Sequence, residues 1–209
     1  MNDLTIKELR IKLKNDFHTT GLAKGSTVDI LKDNQENIYI PATHIKGVIR
    51  TEAERLYGAG CQITCFNEKS KMITCKTPDS AECPICRMFG SPNLEGKEIL
   101  VSKLRFLDFR SDGNETSERT HASIDRDTGS KTDKALFTEK TVPEGTEFAG
   151  YILIRKELKD MEEKLLKGAI HSAAHYGFGS GRSRGLGGIE IIKYKEISKK
   201  EFIKNLIGK

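Results

Sequence analysis

The order in which hydrophobic periodicity changes along this chain is its strongest constraint. In ELRIKLKND, Leu9, Ile11 and Leu13 alternate with charged residues, the two-residue repeat of a half-buried strand. After a Gly-containing loop, TTGLAKGSTVDILKDNQEN, and a short extended piece, Ile38-Tyr39-Ile40-Pro41, the repeat lengthens. Over 43–57, Ile45, Val48, Ile49, Ala53 and Leu56 fall at helical spacing behind Thr43, which reads as the N-cap. Strand patterns return at 98–109, EILVSKLRFLDF, and at Thr146–Arg155. A second helix is predicted over 157–175, with Leu158, Met161, Leu165, Ala169, Ile170 and Ala173 on one side. A fourth strand runs from Ile189 to Tyr194, and an amphipathic helix closes the chain at 199–207.

The resulting order, β-α-β-β-α-β, predicts an α+β, ferredoxin-like core, the order also used by RNA-recognition motifs. At 209 residues the chain reads as one domain, 1–209, with two insertions. One is the cysteine-containing segment at 61–90. The other, 110–145, is polar and aperiodic and too long for a plain connection in a compact domain, which marks it as functional or mobile. No apolar run approaches the ~18 residues a membrane span needs, and the charged N-terminus lacks a signal-peptide apolar stretch. These features point to a cytoplasmic protein with no membrane partner. Thirty-five Lys+Arg against 30 Asp+Glu leave +5, too small an excess to argue by itself for a polyanionic partner.

All five cysteines lie in one stretch, spaced Cys61-x3-Cys65-x9-Cys75-x7-Cys83-x2-Cys86. An odd number in a chain read as cytoplasmic is no disulfide framework. A C-x2-C turn points two thiolates at one ion, and two more complete a tetrahedral zinc site. The segment between is too polar to build a core of its own, so the metal would supply the cross-link. Cys65, Cys75, Cys83 and Cys86 are the predicted ligands, with Cys61 as the alternative to Cys65. Four thiolates leave no open position, so the zinc would be structural.

Six of the 19 glycines fall between Gly177 and Gly188, in HYGFGSGRSRGLGG. Such a loop tolerates positive φ and leaves backbone N–H groups free to cradle phosphate oxygens. Arg182 and Arg184 add charge beside them. The pattern is neither a P-loop nor a dinucleotide fingerprint, since the glycines precede a strand instead of following one. The alternative is a tight helix–strand packing joint; the interleaved arginines favour contact with an RNA backbone.

Three segments, IPATHIKGVIR (40–50), SIDRDTGSKTDKALFTEKTVPEGTEF (123–148) and GFGSGRSRGLGGIEI, together resemble the RAMP superfamily, and more narrowly the backbone subunit of type III CRISPR effector complexes. CPICRMFG is similar to cysteine-containing insertions of type III-D-like variants, while His44 departs from the small polar residue usual at that helix start. The resemblance implies a subunit that assembles with copies of itself and with other type III subunits along a CRISPR guide RNA. It implies a thumb-like hairpin wedged between bases, here 110–145, with Leu136 and Phe137 as wedge candidates or, alternatively, as packing residues. It makes Lys46, Arg50, Arg126, Gly179, Gly181, Arg182, Arg184 and Gly185 the expected RNA contacts. Lys46 and Arg50, four apart, share one helix face.

Catalytic members of the family cleave guide-complementary target RNA with an Asp in the loop after the first strand. The resemblance places that role on Asp29, in TVDIL, with Asp33 as a turn carboxylate in KDNQEN. A single carboxylate would bind Mg²⁺ or orient the attacking 2′-hydroxyl, and Mg²⁺ would take further ligands from water and phosphate. The competing expectation is a purely structural guide-binding subunit. His18, His44 and His121 receive no catalytic role.

Overall fold

Leu9, Ile11 and Leu13 line one side of β1 (Thr5–Leu13), and that side is buried. The computed structural model of the chain describes residues 4–24, 27–58, 83–91, 100–124, 127, 129 and 131–207. β1 is central. It pairs antiparallel with β10 (Ile189–Ile197) on one side and β9 (Glu147–Ile154) on the other. β9 pairs in turn with β5 (Leu104–Phe106) and β6 (Phe109–Ser111), and β4 (Tyr39–Ile40) adds to β6. Two helices, α1 (Ala42–Tyr57) and α3 (Asp160–Tyr176), cover the Leu9 face; their Ile45, Ile49, Ala53, Leu166, Ala169 and Ile170 share one apolar cluster with it. This is the predicted ferredoxin-like β-α-β-β-α-β core.

A smaller cluster of Ile6, Tyr151 and Ile197 forms elsewhere on the sheet, where α4 (Lys199–Ile207) lays Phe202 edge-on against Tyr151 at 4.9 Å. The short α2 (Pro84–Phe89) packs against α1 and α3. Its Arg87 reaches the fully buried Glu162 at 2.6 Å, and Lys103 reaches the same carboxylate at 2.8 Å. Two cations therefore compensate one buried carboxylate and tie the return from the cysteine segment to the start of α3. No described helix is long and apolar enough to cross a membrane.

Several local expectations change. The N-cap of α1 is Pro41, not Thr43, because Pro fixes an extended backbone (φ −59°, ψ 140°) one residue before the helix. Lacking a capping side chain of its own, α1 takes one from the sheet: Ala42 N–H donates to Asp108 Oδ1 at 2.8 Å. The strand expected at 98–109 is two short strands, broken at 107–108, where Asp108 turns to make that cap.

The largest difference lies in the polar insertion. Residues read as aperiodic form a hairpin, β7 (Ser117–Ile124) and β8 (Lys131–Thr141). The loop after β1 also contains strands, β2 (Thr20–Lys24) and β3 (Thr27–Ile30). The four make a second sheet in the order β2-β3-β8-β7, with β3 parallel to β8. The two-residue repeat gives no apolar signal here because Thr, Lys, Glu and His occupy both sides of β8 and β7, so alternation of hydrophobicity is absent even though the backbone is extended.

Candidate nucleic-acid interface

The glycine-rich segment joins α3 to β10 through a 3₁₀ turn, Arg182–Arg184. Gly179 and Gly187 have φ of +80° and +77°, and both are crowded. A Cβ on Gly179 would lie 2.4 Å from the His18 carbonyl oxygen, and one on Gly187 would lie 1.9 Å from that of Phe178. Close approach consumes the N–H groups. Phe178 donates to the Gly187 carbonyl at 2.9 Å, Ser180 to that of His18 at 3.0 Å, and Gly187 to that of Asp16 at 2.8 Å. Gly188 donates to Asn15 Oδ1 at 2.6 Å, Gly179 to His44 Nε2 at 2.9 Å, and Gly185 to the Arg182 carbonyl at 3.1 Å. The expected open N–H cradle is therefore corrected: most of the donors, those of Gly179 and Gly185 included, are taken up inside the protein. Gly181 and Gly185 bracket the turn in left-handed conformation, and what the turn presents outward is the pair of exposed arginines, Arg182 and Arg184.

Arg184 lies beside the arm, its Nη2 3.8 Å from Glu139 Oε2 on β8. Glu139 is nearly buried and faces two imidazoles, with His121 Nε2 at 3.1 Å and His18 Nε2 at 3.4 Å. His18 Nδ1 donates to the Lys140 carbonyl at 2.7 Å, which fixes the ring so that its other nitrogen points at the carboxylate. Four pieces of chain, the exit of β1, β7, β8 and the glycine-rich turn, thus meet at one carboxylate. Farther out on the arm, His121 stacks on Phe137 with ring centroids 4.9 Å apart. Phe137 is 40% exposed and Leu136 47%, so neither is buried against the core.

Asp29 sits on β3 and not in a loop. Val28 is in register with Glu139, which puts Asp29 beside Lys140, on the opposite face of the second sheet from the Glu139 network. Its Oδ1 accepts the Ile30 N–H at 2.9 Å, and its Oδ2 lies 3.4 Å from Lys140 Nζ. Burial alone would raise the carboxyl; the Ile30 N–H and the Lys140 and Lys32 cations outweigh it and hold Asp29 below the usual carboxylate range. Asp33 has the geometry of a turn carboxylate: Oδ1 accepts the Gln35 and Asn37 N–H groups at 2.9 and 3.0 Å, and Arg110 bonds Oδ2 at 2.5 Å. The Asn37 N–H foremost, with Arg110 and Gln35, brings its pKa down to about 2.

On α1, Lys46 makes no ion pair with any described residue, and burial followed by repulsion from Arg50 lowers its pKa. Arg50 is occupied internally: Nε bonds Glu54 at 2.8 Å and Nη1 donates to the Gly90 carbonyl at 3.2 Å. Arg50 Nη2, also buried, has no hydrogen-bond partner among the described residues. Arg126 lies outside the described residues, as do Cys61, Cys65 and Cys75. Cys83, the N-cap of α2, and Cys86 are both fully buried. Three apart in the first turn, they share a side of the helix, a spacing that suits two of four thiolates on one ion. Among the described residues alone, no three His, Cys, Asp or Glu side chains gather as a metal site. For magnesium, the donor set at Asp29 is one carboxylate, which admits the ion only with water and phosphate as its other ligands.

Glu139, Lys140 and the partnership of His44 with Gly179 escape a reading of the sequence. His44 carries a signal, its departure from a small polar residue. Glu139 and Lys140 carry none, being two charges in a charged arm.

A model of the RAMP superfamily matches residues 10–190. Among solved structures, the chain is similar to one from "Cryo-EM structure of the Type III-B Cmr-beta bound to cognate target RNA", with a TM-score of 0.64 and 16% identity, covering 93% of this chain and 61% of that one. At that identity the likeness is one of fold, and the chain spans about three-fifths of that relative's length. A search of the curated proteins found no match.

Proposed function

The chain belongs to the RAMP superfamily, and on that footing we propose that it is a guide-RNA-binding backbone subunit of a type III CRISPR effector complex. The observation that carries this reading is the exposed arginine turn, Arg182–Arg184, held against the base of a hairpin arm with exposed Leu136 and Phe137. Arginines grip the backbone of a single strand, and apolar or aromatic side chains on an arm part its bases. The likeness to a chain of a Cmr complex bound to target RNA supports the same assignment. Its partners would be the guide, complementary target RNA, other type III subunits and copies of itself. Cys83 and Cys86, with Cys75 and either Cys65 or Cys61 in its place, would hold a structural zinc, a ligand set of the III-D-like kind.

The finer reading is cleavage of guide-paired target RNA at Asp29. The ionised carboxylate would orient the 2′-hydroxyl and take its proton as the 2′-oxygen bonds to the adjacent phosphorus. The P–O5′ bond would break as a proton from water reaches the departing oxygen, leaving a 2′,3′-cyclic phosphate and a 5′-hydroxyl. Lys140 Nζ, 3.4 Å from Asp29 Oδ2, would offset charge on the phosphorane. Asp29 would be the residue to hold magnesium, which would supply further positive charge against the same oxygens. One observation favours the non-catalytic alternative: both Asp29 oxygens already have partners within the chain. Asp29→Ala in the assembled complex, incubated with complementary RNA, separates the two readings. Loss of the cut made at this subunit, with guide binding retained, supports catalysis. An unchanged cut establishes the structural role.

A further inference from the structure

Glu139 plays no part in the reading above, yet it is nearly buried where the arm meets the core. His18, on the segment that leaves β1, is 1% exposed. Its Nδ1 lies 2.7 Å from the Lys140 carbonyl oxygen. A carbonyl oxygen only accepts, so the proton of that bond belongs to Nδ1. A neutral ring then turns a bare lone pair at Nε2 toward Glu139 Oε1, 3.4 Å away. An ionised carboxylate is also acceptor-only. Two facing acceptors with little access to water repel each other. One proton between Nε2 and Oε1, carried on either atom, turns that repulsion into a hydrogen bond. The other charged groups around the pair bear on Oε2 or are matched elsewhere. His121 on β7 has Nε2 3.1 Å from Oε2 and can donate there as a neutral ring. Arg184 on the glycine-rich turn has Nη2 3.8 Å from the same oxygen. Arg119, opposite Glu139 in the β7–β8 register, bonds Asp16 at 3.1 Å. Lys140 sends its Nζ to Asp29 on the opposite face.

We infer that His18 and Glu139 form a proton-dependent latch at the root of the arm. With the proton in place, β8 and the glycine-rich turn are clamped to the segment leaving β1, beside the two backbone bonds that Phe17 and Val142 exchange. Without it, Nε2 and Oε1 push apart and the root of the arm loosens. The latch is closed on the acid side, and its contribution is lost as pH rises and the proton leaves. Lys140 follows Glu139 on β8, so the latch also steadies the Lys140 Nζ that stands 3.4 Å from Asp29. It operates with or without RNA, so its failure and that of the proposed function are separate results.

The experiment follows hydrogen exchange of the full-length chain by mass spectrometry between about pH 5 and about pH 8, a span that brackets the titration of histidine. Protection of residues 131–141, the strand β8, is read relative to that of α1 in the same sample, which cancels the pH dependence of the exchange chemistry. In the wild type this ratio is expected to fall about fivefold from the acid to the alkaline end, the worth of one net hydrogen bond. Glu139→Gln is the diagnostic variant, because its amide can donate to His18 Nε2 and accept from His121 and Arg184 without titrating. Its ratio is expected to stay flat across the series, with melting temperature as the folding control. His121→Gln keeps a neutral donor toward Oε2 and is expected to show the wild-type fall. A wild-type ratio constant within about twofold overturns the latch, whether or not the variants fold. A fall that survives unchanged in Glu139→Gln also overturns it. So does a fall abolished by His121→Gln, which would move the titration from His18 to the outer ring.

Discussion

Replacing Gly187 by Ala tests whether the glycine-rich turn is a packed joint carrying arginines or a cradle of free N–H groups. Left-handed backbone at φ +77° costs a side-chain residue about 1 kcal/mol. The new Cβ would stand 1.9 Å from the Phe178 carbonyl oxygen, an overlap that only backbone movement relieves. That movement breaks the Phe178 N–H bond to Gly187 and the Gly187 N–H bond to Asp16, about 1 kcal/mol each. It also lifts Phe178, now 2% exposed, partly out of the core, about 1 kcal/mol more. The sum, about 4 kcal/mol, corresponds to a fall of about 12 °C in melting temperature for a chain of this size. Gly185 is the control. Its φ is +81°, but nothing lies within 4 Å of its would-be Cβ, so Gly185→Ala should cost about 1 kcal/mol, or about 3 °C. Differential scanning fluorimetry and RNA affinity are measured on both variants. Similar small shifts for the two would refute the packing argument. Loss of RNA binding in Gly185→Ala with an unchanged melting temperature would restore the N–H cradle.

Glu162→Gln should lower stability by about 3 kcal/mol in a denaturant titration, because Arg87 and Lys103 lose their shared buried charge; a loss under 1 kcal/mol would show that the pair rearranges freely. Asp33 contributes stability that is complete above its ordinary value of 3.8 and disappears as pH falls toward about 2. A melting-temperature profile should therefore decline through that window, and Asp33→Asn should flatten the decline. His44 acts in the same direction at higher pH: its folded-state pKa lies below 6.5, so its contribution is full above pH 6.5 and is lost as pH falls below it. His44→Gln should reduce that part of the acid sensitivity. Elemental analysis should find about one zinc per chain, lost on Cys83→Ser; metal-free protein of full stability would remove the zinc assignment.

The core was legible because its strands and helices each carry an apolar stripe. Leu9, Ile11 and Leu13 reveal β1, and Ile45, Ile49 and Ala53 reveal α1, by spacing alone. The arm was illegible by the same test, since Lys140 and Glu139 point to opposite faces and both faces are polar. Asp29 was found as a residue, yet its place on a strand beside Lys140 depends on parallel pairing between segments 111 residues apart, which no local pattern encodes. The glycines were read correctly as permissive, but what they permit is backbone contact, with His44 as the partner of one of them.

The central claim is that RNA lies against the arginine turn and the arm. Photocrosslinking of the full-length chain to a guide RNA, followed by mass spectrometry of the crosslinked peptides, addresses it most directly. The account predicts adducts on peptides spanning residues 176–188 and 131–141, lost together in an Arg182→Ala, Arg184→Ala variant that keeps its melting temperature. Adducts confined to other surfaces, such as α4 and the Tyr151 side of the main sheet, would contradict it.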